Sequence, residues 1–279
     1  MGNVASVINS ECCDIDIASS STDSVSPPIV SSMSVSTHIV DVKSPSFCLH
    51  NASSSSTSNK SGAPHSSFNL KVNFCNVNSM FNKINLISHY LKHHQIDLLF
   101  ITESWLSDKI SDSMICPDGY DVIRHDRLVK RGGGVCLLYK KGLKIQQIHP
   151  NCNSLLYSKT DFEIVCVDLF NLKSKIRLCC VYIPPLSSRC NSKLVQICDT
   201  IASLNPNNIP FYLFEDFNLP NIDWNIPTSV GDTSHDSFLD FSLTNSLTQC
   251  ILKPTHNKGN ILDLLFCNTP GLNKLILFE

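Results

Sequence analysis

The sequence predicts an α/β fold in which two packed sheets are flanked by helices, set behind a disordered N-terminal tail. Three observations predict it. Apolar runs of strand length recur from Leu70 to Cys267. Few helical stretches separate them, and the runs are apolar on both faces, as strands buried between layers are. Residues 1–67, by contrast, are dominated by serine, including Ser53-Ser54-Ser55-Ser56, and hold few aromatics. Such a segment cannot bury enough apolar surface to offset its chain entropy. The expected division is therefore a serine-rich tail over 1–67 and one folded domain over 68–279.

The elements follow in order. Leu70 to Cys75 alternates like a strand. Met80, Ile84, Ile87 and Leu91 recur at helical spacing, which predicts a helix from Ser79 to His94 whose apolar stripe packs on the core. Asp97 to Thr102 reads as a buried strand ending on Glu103. Further strands are expected at Tyr120–Arg124, Val135–Tyr139, Phe162–Leu169, Ile176–Ile183, Phe211–Phe214 and Ile261–Cys267, and helices at Asn191–Leu204 and Ser234–Thr244. No internal repeat is visible.

Composition bounds the function classes. The chain has 279 residues, 42% of them hydrophobic, enough for one large domain or two small ones. A net charge of −2 argues against a protein that coats nucleic acid. Arg124, Arg127, Lys130, Arg131, Lys140, Lys141 and Lys144 nevertheless form a local basic cluster, which suits either a phosphate-binding rim or an ordinary solvated hairpin. The 14 cysteines include no C-x-x-C pair. Cys75, Cys136, Cys166 and Cys179 lie in strand-like runs, where thiols pack as small apolar groups, and a reducing compartment is expected. There is no basic flank and apolar core of a secretory signal, and no apolar run approaches the ~20 residues that span a bilayer. An intracellular protein, nuclear or cytoplasmic, is expected. Met1-Gly2-Asn3-Val4-Ala5-Ser6 fits the N-myristoylation pattern, and Cys12 or Cys13 could take a second acyl chain. No polybasic patch lies nearby, so membrane contact would depend on acylation of Gly2, and a chance match is the plainer reading.

Chemistry concentrates at strand ends. In Phe211-Tyr212-Leu213-Phe214-Glu215-Asp216-Phe217-Asn218, four apolar residues run into polar ones. Residues two apart on an extended chain share a side, so Asp216 and Asn218 would stand together at a strand's C-terminal mouth. One can take a proton or bind a cation; the other can donate and accept hydrogen bonds. Asn76 follows Leu70–Cys75, Glu103 follows Asp97–Thr102, and Tyr182 lies where a strand gives way to Pro184-Pro185. Asp263 is a lone carboxylate among apolar neighbours, costly unless paired, hydrogen-bonded or metal-bound. Each also has a plainer role, as turn former, cap, packed ring or edge charge.

Together these pieces resemble the endonuclease/exonuclease/phosphatase superfamily, and most closely the apurinic-type endonuclease domain of non-LTR retrotransposons. The matching stretches are Asn76-Val77-Asn78-Ser79, Ile101-Thr102-Glu103-Ser104-Trp105-Leu106, Gly119-Tyr120 with Arg124-His125-Asp126-Arg127, and Lys130-Arg131-Gly132-Gly133-Gly134-Val135. They continue with Val181-Tyr182-Ile183-Pro184-Pro185, the run from Asp216 to Trp224, and Pro254-Thr255-His256 leading to Leu262-Asp263-Leu264. The resemblance spans Lys71 to the end. It implies a four-layer α/β/β/α sandwich of two mixed sheets and a nuclease that nicks DNA to leave a 3′-hydroxyl, with no stable protein partner. Glu103 would hold Mg²⁺, or Mn²⁺ in its place, with Asn76 beside it. Asp216 would orient or deprotonate the attacking water, Asn218 would hold the phosphate, Tyr182 would bond a phosphoryl oxygen, and Asp263 would orient a histidine. Lys130 and Arg131 would touch DNA phosphates.

The chain departs from that pattern twice. Glu215 stands where the family has glycine, and the extra carboxylate could repel phosphate or raise the pKa of Asp216. The family's Ser-Asp-His sequence and the strand that follows it are absent. The expectations are a C-terminally incomplete domain lacking its last strand, an unpaired sheet edge, and impaired turnover. Two other readings stay open: a superfamily phosphatase or phospholipid hydrolase, and a catalytically dead binding module or relic.

Overall fold

The computed structural model describes residues 38–43, 69–128, 132–150, 162–170, 175–184, 191–205, 209–216, 222–224, 228–229, 233–251, 261 and 263–268. In chain order the elements are β1 (His38–Lys43), β2 (Asn69–Asn76), α1 (Ile84–His94), β3 (Leu98–Thr102), β4 (Tyr120–His125), β5 (Val135–Lys140), β6 (Lys144–Ile148), β7 (Glu163–Phe170) and β8 (Lys175–Tyr182). They continue with α2 (Asn191–Leu204), β9 (Phe211–Asp216), β10 (Ile222–Asp223), β11 (Thr228–Ser229), α3 (Thr233–Thr244), β12 (Thr248–Gln249) and β13 (Asp263–Cys267). Short 3₁₀ turns precede α1 at Phe81–Lys83 and follow β3 at Asp112–Met114.

Two mixed sheets form. The first runs β1-β2-β3-β5-β4 and the second β12-β13-β9-β8-β7-β6, with β2–β3 and β8–β9 the parallel pairs; β10 and β11 make a separate small ribbon. Alternation of side chains gives each sheet two apolar faces. The inner faces meet through Val72, Phe74 and Phe100 from the first sheet and Leu178, Tyr212 and Phe214 from the second. Ile87 and Leu91 of α1 cover the outer face of the first sheet against Leu99, Ile101 and Leu138. Leu194 and Ile201 of α2, with Phe238 of α3, cover the second against Val181, Leu213 and Leu264. The result is the expected four layers, helix, sheet, sheet, helices. Among the described residues no helix is long and apolar enough to cross a membrane.

Three differences from expectation have physical reasons. Helix α1 begins at Ile84 rather than Ser79. Asn78 and Ser79 adopt positive φ, and the N–H groups of Ser79 and Met80 reach across to the carbonyls of Glu103 and Ser104 instead of entering a helix. Cys166 and Cys179 are not separate thiols: they face each other in the β7–β8 register and form a disulfide. Within the segment expected to be disordered, His38–Lys43 forms β1, which pairs antiparallel with β2. Its Ile39, Val40 and Val42 are strand formers, too few to register against so many serines. β1 thereby pairs the outer edge of β2. The rest of residues 1–67 lies outside the described residues.

One charge cluster stiffens the second sheet. Asp168 and Arg177 are register partners on β7 and β8, joined by two hydrogen bonds of 2.7 and 3.0 Å, and Lys175 Nζ lies 3.1 Å from the same carboxylate. Arg177 also donates to the Leu204 carbonyl, tying in the end of α2. Burial pushes the Asp168 carboxyl up, but the hydrogen bonds and charges of Arg177 and Lys175 outweigh it and hold it below its ordinary value. The folded carboxyl is therefore the stronger acid, and its stabilisation is present above the unfolded value and lost as pH falls through the folded one. Asp168→Asn should lower the urea midpoint at pH 7. The gap between variant and wild type should close only as the pH drops below the ordinary value of 3.8, read by urea titrations at stepped pH.

Candidate active site

Strand ends from both sheets gather at one edge of the sandwich. In the first sheet, Asn76 at the end of β2 is register partner to Thr102 at the end of β3; Thr102 pairs with Val135, which opens β5, and Val135 pairs with His125, which ends β4. In the second sheet, Asp263, Asp216, Tyr182 and Glu163 are successive register partners across β13, β9, β8 and β7. Contacts between the rows show that they share an edge. Ile164 N–H donates to His125 Nδ1 (3.1 Å), and Gly134 N–H donates to Glu163 Oε2 (3.3 Å). Asp263, 8% exposed, interacts electrostatically with Cys75 of β2, and burial together with that carboxylate pushes the Cys75 thiol up to about 12.

Glu103 follows β3 in a sharply turned backbone. Its φ is +52° and that of Trp105 is +53°, both in the left-handed region that side chains disfavour. Four backbone bonds hold the turn: Ser79 and Met80 donate to Glu103 and Ser104, while Ser104 and Trp105 donate to Gly134 and Gly133. The carboxylate is fixed as well, since the Trp105 indole N–H and the Gly133 N–H both donate to its Oε2, at 2.5 and 2.9 Å. Asn76 is half-buried next to this turn, its Oδ1 accepting from Asn78 N–H (3.2 Å). Thr102 Oγ1, in register with Asn76, is buried with no hydrogen-bond partner among the described residues.

Across the mouth, Glu163 is fully buried and paired with Arg127 through two bonds of 2.6 and 2.8 Å. The guanidinium also lies 5.4 Å from the centre of the Tyr182 ring, a cation–π contact. Burial works against its charge, but the hydrogen bonds and charge of Glu163 prevail and hold it above its ordinary value. The glycine run is shaped by these groups. Gly133 has φ +70°, and a Cβ there would lie 2.3 Å from Arg127 Cζ; Gly134 has φ +87°, and its Cβ would lie 2.4 Å from Ser104 Oγ. The run therefore does more than turn the chain: its N–H groups serve Glu103 and Glu163.

Known proteins share this architecture. A family model described as endonuclease-reverse transcriptase matches residues 176–277. An AP endonuclease from Archaeoglobus fulgidus has a similar structure, with TM-score 0.54 and 13% identity, over 72% of this chain and 87% of that one. The chain shares the fold of these endonucleases. AP endonuclease LMAP from Leishmania major is similar to this chain with TM-score 0.51 and 15% identity, over 70% of this chain and 78% of that one. The 3′-phosphatase NExo from Neisseria, solved with a product DNA hairpin, is similar with TM-score 0.50 and 13% identity, over 72% and 87%. At these identities the likeness is one of fold. No curated protein matches the sequence.

Of the residues that sequence reading singled out, Asn76 ends β2 and Glu103 follows the adjacent parallel strand β3, and Tyr182, Asp216 and Asp263 occupy one register row. Asp216 is described only by its backbone position. Asn218, Lys130, Arg131 and Gly2 lie outside the described residues. Sequence reading missed Arg127 and Glu163 as partners. The only signal was indirect, an acid opening an apolar strand and an arginine shortly before three glycines. Glu163→Gln should destabilise the fold by about 3–5 kcal/mol, because it strands a guanidinium with little access to water. The double variant Arg127→Met, Glu163→Leu should recover most of that loss in urea unfolding. A single variant as stable as wild type would show the pair to be energetically idle.

Proposed function

We propose that this chain is a Mg²⁺-dependent phosphodiester hydrolase that acts on DNA, a retroelement-type endonuclease whose nick leaves a 3′-hydroxyl. The observation that carries the reading is the register row Asp263, Asp216, Tyr182 on one sheet, facing Asn76 and Glu103 on the other. The family model's description, endonuclease-reverse transcriptase, supports the retroelement class.

The oxygen donors at the first sheet fit a magnesium ion. Mg²⁺ takes one or two carboxylates and keeps several waters, so it needs no cage of acids. Among the described residues no group of three His, Cys, Asp or Glu side chains could hold a metal. A single fixed carboxylate at Glu103, the amide of Asn76 and the unsatisfied hydroxyl of Thr102 beside it suit a hydrated ion. Glu103 and Asn76 would hold it; bound there, it would draw charge from the phosphate oxygens. Asp216 takes a proton from the attacking water. Asn218 and Tyr182 donate hydrogen bonds to the phosphate, and Lys130 and Arg131, which lead into the glycine run, meet the DNA backbone.

Trp105 provides a direct readout, since its indole bonds the carboxylate assigned to the ion. The second tryptophan, Trp224, is packed between Phe238 and Phe266 in the outer core. Titrating Mg²⁺ into the purified chain should change tryptophan emission saturably. The change should vanish in Glu103→Gln and in Trp105→Phe but persist in Trp224→Phe. Nicking of supercoiled plasmid should fall about a hundredfold or more in Glu103→Gln. Emission that ignores Mg²⁺, with nicking indifferent to Glu103→Gln, would sink the reading. Preferential hydrolysis of an inositol phosphate over DNA would move the substrate class.

A further inference from the structure

We propose that Cys250 and Cys267 form a redox modification site, a thiol pair that a peroxide joins into a disulfide, stapling the outer strand β12 to β13. β12 is the outermost strand of the second sheet, and it pairs with β13 at Thr248–Cys267 and Gln249–Phe266. One more bond, from Cys250 N–H to the Leu265 carbonyl (2.8 Å), carries the ladder a residue further. Cys250 and Cys267 are thus diagonal neighbours on one face. Sheet twist draws one such diagonal together, and here the two sulfurs lie 3.5 Å apart. A disulfide needs about 2.05 Å, so the thiols must close by about 1.5 Å, a distance that side-chain rotation spans.

Access to the pair is one-sided. Cys250 is half-buried and Cys267 buried, so a small oxidant meets Cys250 first. The Cys250 thiol also lies 3.3 Å from the Thr248 carbonyl. Its hydrogen bond with Cys267, together with burial, pushes it above the ordinary thiol value. Selectivity therefore comes from nearness of the two sulfurs and not from a ready thiolate. A third group stands by. Tyr212 is the register partner of Cys267 and interacts electrostatically with both thiols. Its hydroxyl is buried with no hydrogen-bond partner among the described residues. Such a hydroxyl can donate to a sulfur that becomes anionic.

The chemistry needs only these two thiols and hydrogen peroxide. The Cys250 sulfur gives up its proton and attacks one peroxide oxygen. The O–O bond breaks, an S–O bond forms, and the other oxygen leaves as water, so Cys250 becomes a sulfenic acid. The Cys267 sulfur then attacks the Cys250 sulfur. The S–O bond breaks, the S–S bond forms, and the hydroxyl departs with the Cys267 proton as a second water. In sum the two thiols lose two electrons and two protons, and the peroxide is reduced to two waters.

The bond would act where the second sheet is held least. An edge strand with so few ladder bonds opens at low cost. Beside it, Ile251 is buried between the sheets, and both ends of the Gln249 side-chain amide bond its backbone. Opening of β12 therefore exposes part of the inner core. Cys250 and Cys267 are 17 positions apart, and the stretch between them includes Asp263, the β13 member of the register row at the mouth. A disulfide closing that loop restricts the opened chain and so favours the closed one.

The test treats the full chain with hydrogen peroxide, blocks remaining thiols with N-ethylmaleimide and maps the digested peptides by mass spectrometry. The peptides carrying Cys250 and Cys267 should emerge joined, and dithiothreitol should part them. Cys250→Ser and Cys267→Ser should each abolish the link, while Cys116→Ser, at a half-buried thiol elsewhere, should leave it. The urea midpoint should rise on oxidation by more in wild type than in Cys250→Ser, which keeps the Cys166–Cys179 bridge. Maleimide adducts on both Cys250 and Cys267, at a peroxide level that oxidises Cys116, overturn the inference. So does a link from either to any other cysteine. A Cys250–Cys267 link with equal midpoint shifts in wild type and Cys250→Ser overturns the staple.

Discussion

A buried carboxylate and the guanidinium that meets it, Glu163 and Arg127, fix how the two sheets share an edge. Glu163 opens β7 in the second sheet; Arg127 follows β4 in the first. Taking both charges out of water is expensive, and an apolar pair of like volume would pack there with equal or greater stability. What the ion pair adds is direction. Two parallel hydrogen bonds, a third from Gly134 and the ring of Tyr182 admit one arrangement. Glu163 is the register partner of Tyr182, so the same bonds place the row that continues through Asp216 to Asp263.

The apolar core and the polar lip are two levels of the same strands. Phe74, Phe100, Phe214 and Leu265 close the interior between the sheets. Two residues from each of these, at the same end of the strands, the sequence turns to Asn76, Thr102, Asp216 and Asp263. Polar groups there weaken the core's margin, and they are tolerated because each meets a backbone group, a partner charge or the mouth itself. Glu103 shows how such a position is held. Its left-handed backbone would cost on the order of 1–3 kcal/mol alone, offset by hydrogen bonds that bind the turn to β2's exit and to the glycine run. A carboxylate held this firmly loses little freedom when a cation arrives.

The outer strand of the first sheet changes the picture of the chain's N-terminal segment. An uncovered β2 would present a row of unsatisfied backbone groups to any passing strand. β1 satisfies them with residues drawn from a segment whose composition argues against folding alone. Pairing along a formed edge asks far less of a sequence than building a core, because the partner is already rigid. The same arrangement brings the heads of β1 and β13 to one part of β2.

Much of the fold was legible from local pattern. The limits of α2 at Asn191–Leu204, the strand from Phe211 and the strand carrying Asp97–Thr102 all follow from periodicity and run length, because burial of one helix face or both sheet faces leaves a regular trace. Asn76, Glu103, Tyr182, Asp216 and Asp263 were also visible, each as a polar residue ending or opening an apolar run. Their company was not. That Glu163 faces Arg127, that Gly133 must lack a side chain because Arg127 fills its space, that Cys166 meets Cys179, and that His38–Lys43 finds β2 depend on strand register and sheet order. The sequence alone determined which segments would be strands and helices and which residues would stand at their ends, since those are set by neighbours a few residues away. Only the tertiary structure decided which ends meet, because contacts between distant segments are chosen by the packing of whole sheets, and no local spacing encodes them.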